Sequence, residues 1–186
     1  MELFPKLASG WLNGWVFLGL LCLVEGACFL LFPKAVVKRL FDRSGWSQKQ
    51  VVFTVIGKVA ALVCLILLIF TPLKPGAPVF VAGSIVVALG AVGLLVALLN
   101  FKNTPPDQPV SQGIYKISRH PQIVMSSVML LGTCIAVGSW AALIALVVAR
   151  IFSHLGILAE EEVCLKQYGD SYRAYVQRVP RYFVFF

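Results

Sequence analysis

Apolar residues are gathered into long blocks separated by short polar segments. A membrane-crossing helix needs about 20 mostly apolar residues. Trp11 to Phe32 meets that length and stops at Pro33. Val51 to Phe70 meets it and stops at Thr71-Pro72, and Pro78 to Leu99 meets it with a proline in its first turn, where no hydrogen bond is lost. The apolar stretch from Pro121 to about Glu160 is roughly twice one span, and Gly138-Ser139-Trp140 is the place for it to fold back. The pattern predicts five helices, 11–32, 51–70, 78–99, 121–138 and 140–160, the last two forming a tight hairpin.

Three polar segments remain: the loop 33–50, the linker 100–120 and the tail 161–186. The first carries Lys34, Lys38, Arg39, Arg43 and Lys49, the second Lys102, Lys116 and Arg119, and the tail Lys166, Arg173, Arg178 and Arg181. The other side holds only Lys6 and Lys74. Positive charge stays in the cytosol. The N-terminus is therefore expected outside and the C-terminus in the cytosol, as an odd number of spans requires. The first apolar block has no basic leader and no small-residue cleavage site before it, so it reads as a retained span.

Composition narrows the class. Of 186 residues, 59% are hydrophobic and 13% charged, against about 45–50% and 25% in an average soluble domain. A water-soluble domain of this size buries only about 70% of its surface, too little to hide so much apolar area. A soluble globular enzyme, a disordered chain and a fibrous one are all excluded, and the length leaves no room for a separate soluble catalytic domain. The formal charge of +8 sits between apolar blocks, where it orients the chain on an anionic leaflet. No basic helix interleaved with aromatics is present, so nucleic acid is not an expected partner. The five cysteines form no C-x-x-C pair, and four lie inside apolar runs, which makes them small buried hydrophobes rather than disulfides or a metal site.

Ionisable groups inside apolar blocks are costly and need a reason. Glu25 and Lys58 each fall roughly two turns from the cytosolic end of their helices and are placed to pair. Arg150, His154 and Glu161 are spaced by four and seven residues, close to three full turns, so they share one helix face. Gln122, Ser126 and Thr133 make a weaker stripe on the preceding helix. Two facing stripes suggest a cavity open to the cytosol; the alternative is that Arg150 and His154 merely satisfy each other. The triplet Glu160-Glu161-Glu162 opposes the dipole of a helix ending there. It makes more sense if the helix continues to a cap at Gly169, with Asp170 capping a second short helix that holds Tyr172 and Tyr175. Arg119-His120-Pro121 stands beside a helix N-terminus, a place suited to an anion.

These residues converge on a family. Gly113-Ile-Tyr115-Lys-Ile-Ser-Arg119-His120-Pro121 resembles the G-x-Y-x-x-x-R-H-P signature of the integral-membrane methyltransferases, the isoprenylcysteine carboxyl methyltransferases and the phospholipid methyltransferases. About forty residues later, Glu161-Glu162-x-x-Leu165-x-x-Tyr168-Gly169-x-x-Tyr172-x-x-Tyr175-x-x-x-Val179-Pro180-Arg181 is similar to that family's ending. The resemblance covers about 105–182. It departs at Ile123, where the family has tyrosine, and at Met125, where it has a small residue.

The resemblance implies an all-α polytopic membrane protein of about five transmembrane helices, with a cytosolic C-terminal helical tail completing a cofactor pocket. Residues 1–100 would hold three transmembrane helices and the cytosolic loop 33–50. Residues 101–186 would form a catalytic module of loop, helical hairpin 121–160 and tail. It implies S-adenosyl-L-methionine as cofactor, with Tyr115, Arg119, His120 and Pro121 at the cofactor site, Glu161 and Glu162 holding its ribose or amino groups, and Tyr172 and Tyr175 closing the pocket. Arg119, His120 and Glu161 are the expected catalytic set, with no metal. The acceptor would be a lipid or prenylated substrate from the bilayer, Arg119 orienting its carboxylate or phosphate. The rival readings are an NADPH-dependent membrane sterol reductase-like enzyme and a small transporter or scaffold.

Overall fold

The computed structural model describes residues 1–40, 47–105 and 107–183; Arg43 of the basic loop and the final residues 184–186 lie outside them. The described residues contain helices and no β-strand. In chain order these are α1 (Trp15–Leu31), α2 (Lys34–Leu40), α3 (Gln48–Phe70), α4 (Pro78–Lys102), α5 (Pro121–Val137), α6 (Trp140–Tyr168) and α7 (Asp170–Arg178), with one 3-10 turn at Gly113–Lys116. Three of them, α4, α6 and the Gln50–Phe70 part of α3, are long and apolar enough to cross a membrane, and α1 and α5 are apolar helices of 17 residues.

Local chemistry sets the helix ends. Ser47 and Gln50 form a reciprocal capping box that starts α3. Pro78 and Pro121 occupy first turns, where a missing N–H costs nothing. Gly138, at φ 70°, closes α5, and the Ser139 hydroxyl accepts from Ala142 N to open α6. Helix α1 begins at Trp15 rather than at residue 11. The preceding residues are drawn instead onto the turn after α3: Asn13 Nδ2 donates to Ala8 O at 2.6 Å and Ile69 O at 3.1 Å, and Leu73 N donates to Leu12 O at 2.8 Å. The loop 33–50, expected as a polar link, contains the short helix α2.

At the other end α6 does continue past Glu162, to Tyr168, and Gly169 breaks it at φ 57°. Asp170 does not cap α7; Gly169 holds that position, and Asp170 in the first turn pairs with Arg173 at 2.9 Å.

The expected tight hairpin of α5 and α6 is splayed. On either side of the turn, α5 runs along α4 and α6 runs along α3, and the two touch each other little. Glycines make both long contacts. A Cβ at Gly83 would collide with Ala136 and the Gly132 carbonyl of α5, and Gly57 on α3 faces Ala149 and Ser153 of α6. Met125, where a small residue was expected, lays its thioether across Gly93. The core joins Leu18, Cys64, Leu68, Leu130, Cys134 and Leu146 near the α5–α6 turn, with a second cluster around Val87, Leu94, Leu98 and Met129. All five cysteines are free thiols. Outward, α1, α3, α4 and α6 present Leu23, Val59, Leu62, Leu89, Val92 and Ile151, all exposed. A continuous apolar exterior of that extent calls for lipid, not water, as the neighbour.

Candidate functional site

The splay of α5 from α6 leaves a wedge at the end of the bundle where α4 stops and α7 begins. The linker 103–120 enters it. Gly113 sits at φ 59°, and a Cβ there would collide with the Asn100 side chain, whose Oδ1 accepts from Ile114 N at 2.9 Å. Only glycine suits that positive φ so close to α4. The 3-10 turn then buries Tyr115. Its hydroxyl accepts from Gln122 Nε2 at 2.9 Å, and its carbonyl accepts from the Tyr175 hydroxyl at 2.7 Å. Further backbone links tie linker to tail: Arg119 N donates to Pro180 O at 3.0 Å, and Ser118 Oγ to Arg181 O at 2.9 Å. The two similar segments of the sequence are thereby held together in space.

Glu161 is the hub. Its Oε1 accepts from Arg119 Nε at 2.9 Å, His120 Nε2 at 3.1 Å and Arg181 Nε at 3.1 Å, and its Oε2 from Arg181 Nη2 at 2.8 Å. Arg119 also donates through Nη1 to the Val176 and Val179 carbonyls at 2.9 and 2.8 Å. With a long 3.5 Å contact from Nη2 to Glu161, four of its five N–H donors are engaged within the protein. The side chains of Arg119 and Glu161 are 2% and 11% exposed. Glu161 lies past the 21 residues of α6 that suffice to cross a hydrocarbon core of about 30 Å. Burial would push its carboxyl up, but the hydrogen bonds from His120 and Arg181 and the charges of His120 and Arg119 outweigh it and hold the group well below the usual carboxylate range. In α7, burial pushes the Tyr172 and Tyr175 phenols up, so both stay neutral donors.

A cavity of about 650 Å³ opens in front of this hub. Tyr115, Arg119, His120, Tyr172 and Tyr175 line it together, with Tyr168, Gln122 and Glu160 beside them and Thr54, Lys58, Arg150 and Ser153 toward the bundle interior. Ile123, the departure from the family tyrosine, also lines it. Pro121 is buried as the first residue of α5. Glu161 stands behind the wall. Glu162 lies outside the cavity, exposed, with its Oε2 accepting from Gln50 Nε2 at 3.4 Å.

The carboxylate facing the cavity is Glu160, 54% exposed, with His120 Nδ1 3.9 Å away. The sequence held no signal that would select it over its two neighbours, because the choice depends on how α6 is rotated about its axis. Arg181 was legible only as part of a motif, not as a partner of Glu161. The pairs expected inside the bundle are not formed. No ion pair among the described residues joins Glu25 to Lys58, and His154 Nδ1 meets the Tyr182 hydroxyl at 2.7 Å instead of Arg150.

The sequence model of the phospholipid methyltransferase family matches residues 76–171, just over half of the chain. The match runs from the turn before α4 into the first residues of α7. It thus includes α4, which carries neither of the two motifs, along with the helix packed against it. Among curated proteins and solved structures, none matches. The matched stretch holds Tyr115, Arg119, His120, Glu160 and Glu161, and the apolar exterior requires a bilayer. The chain therefore belongs to the phospholipid methyltransferase family, as an integral membrane methyltransferase.

Proposed function

We propose that the protein transfers a methyl group from S-adenosyl-L-methionine to the amine of a phospholipid at the cytosolic face of its membrane. In this reading α1, α3, α4, α5 and α6 cross the bilayer, with the N-terminus outside and the tail in the cytosol. One observation carries it: a single cavity is walled on one side by both family segments and continues between lipid-facing helices on the other. Its volume of about 650 Å³ falls in the range of about 300–1,000 Å³ common to small-molecule sites.

The residues present fit the cofactor. Its ammonium and ribose hydroxyls need an acceptor, which Glu160 offers with an uncommitted carboxylate edge. Its carboxylate needs a donor, which the imidazolium form of His120 offers at Nδ1 while Nε2 donates to Glu161. Its sulfonium and adenine suit aromatic faces, and Tyr115, Tyr168 and Tyr172 are at hand. Glu160 takes the role that the resemblance gave to Glu161 and Glu162.

When bound, the cofactor supplies a methyl carbon already activated by a positively charged sulfur. An ammonium headgroup would first give up a proton, to Glu160 or to water, and the neutral amine would then be held in line with that carbon, the thioether being the leaving group. Little acid or base power is demanded, so the protein's contribution is alignment and exclusion of water, worth about 7–11 kcal/mol when geometry is well held. Glu161, with Arg119 and Arg181, is a positioning group. It orients His120 and clamps the tail on the linker, so that the tyrosine wall is rigid before ligands arrive.

Purified protein in detergent, given radiolabelled methyl donor and total membrane lipids, should label a phospholipid amine. Titration calorimetry should show donor binding that Glu160→Gln and Glu161→Ala both weaken by about tenfold or more. No donor binding by folded protein, or label in no lipid, would overturn the reading.

A further inference from the structure

Arg119 was the expected ligand for an acceptor's anionic group, yet its guanidinium is committed to Glu161 and to two tail carbonyls. The cavity contains another arginine that is not committed. Arg150, on α6, lines it. Its Nε is buried with no hydrogen-bond partner, and no hydrogen bond or ion pair among the described residues engages its guanidinium. Arg150 as a whole is half-buried, but a charged group at this depth of a bilayer with a buried, unpartnered Nε is costly and marks a functional position.

Its surroundings say what it would take. Gly57 of α3 abuts Ala149 and Ser153, so a Cβ there would press on Ser153 N and Oγ at 3.1 Å. The next residue, Lys58, therefore stands at the same depth as Arg150, and it too lines the cavity, as do the hydroxyl residues Thr54 and Ser153. The only carboxylate among the described lining residues is Glu160. Ten residues of α6 separate it from Arg150, about 15 Å along the axis. The cavity thus has a cationic inner pole, and an outer pole where this carboxylate stands beside Lys38, His120 and the committed Arg119.

We infer that Arg150, with Lys58, binds the phosphodiester of the lipid acceptor. This deepens the proposed function and rests on it. A zwitterionic lipid with phosphate and amine two carbons apart enters with its phosphate on the inner pole. Its amine then points outward, toward Glu160 and the tyrosine wall, while its acyl chains stay among the apolar helices. Arg150 suits this because its planar fork meets two phosphate oxygens at once. Arg150 and Lys58 select the acceptor by its anion, and the outer pole binds the donor.

The test separates the two poles. Binding of phosphatidylethanolamine, and of a phosphate-free long-chain amine, is measured on protein in detergent without donor; donor binding is measured separately by calorimetry. Arg150→Met should weaken phosphatidylethanolamine by about tenfold or more, Arg150→Lys should restore much of it, and the preference over the phosphate-free amine should vanish. Lys58→Gln, at an exposed site, should lower the same preference if Arg150→Met does not fold. Unchanged preference in Lys58→Gln and in any folded Arg150 variant overturns the assignment, as does equal loss of both lipids, which marks a structural role. Failure of the wild type to bind donor while lipid preference behaves as expected would sink the methyltransfer reading alone.

Discussion

Glu161 concentrates two arginines and a histidine on one carboxylate that is almost out of solvent. Such a group contributes little on its own account, but removing it strands Arg119, whose side chain is 2% exposed. Breaking one partner of a buried ionic set costs about 3–5 kcal/mol. Glu161→Gln should therefore lower the unfolding temperature of the protein in detergent markedly, whereas Glu162→Gln, at an exposed carboxylate, should leave it nearly unchanged. The loss depends on pH. The folded carboxyl is held below its unfolded value, near 4.3, so its contribution is full above that pH and disappears as pH falls through the depressed folded value. The gap between wild type and Glu161→Gln should accordingly be constant near neutrality and narrow below about pH 4. At this scale the sequence was half informative. It singled out three glutamates because they oppose a helix dipole, but not which of them faces arginines, which the cavity and which a neighbouring helix.

At the scale of elements, the decisive contact is α4 against α5. It is so close at Gly83 and Gly132 that neither has room for a side chain. Gly83→Leu should cost at least about 1–3 kcal/mol by overpacking, read as a lowered unfolding temperature. Gly19→Ala on α1, where nothing lies within 4 Å, should have no such effect and serves as control. The blocks of apolar residues marked where these helices are, to within a few positions. Their partners were not legible. A turn of two residues between α5 and α6 suggested mutual packing, yet Gly83, Gly132 and Gly57 offer deeper contacts to α4 and α3, and dispersion favours the closer approach. The displaced start of α1 has a similar cause, since Asn13 finds partners on the α3 turn that a helix would have denied it.

For the whole molecule, the ends sort onto two sides. The N-terminal residues, the turn after α3 and the α5–α6 turn lie together: Glu2 N donates to Gly138 O at 2.8 Å and Ala8 N to Phe70 O at 2.8 Å. The linker, Glu160 and the tail form the opposite side with the cavity. Orientation in the membrane then follows from charge. In a background with Cys22→Ser, Lys74→Cys should react with a membrane-impermeant maleimide on intact cells, and Arg173→Cys only after the membrane is opened. The reverse pattern would place the donor site outside and defeat the proposed reaction.

What the sequence determined by itself is whatever depends on local composition. Helix positions, the bilayer as solvent and the two family segments are read from runs of residues, because transfer of apolar side chains into lipid is roughly additive along a chain. The tertiary structure alone decided that α5 and α6 part to open a cavity, that Glu161 lies behind its wall while Glu160 faces it, and that Arg119 is spent on the fold while Arg150 is left unpaired. Those outcomes turn on the rotation and separation of packed helices. A few tens of degrees about an axis move a carboxylate from an arginine to a cavity, and only side chains distant in sequence fix that angle.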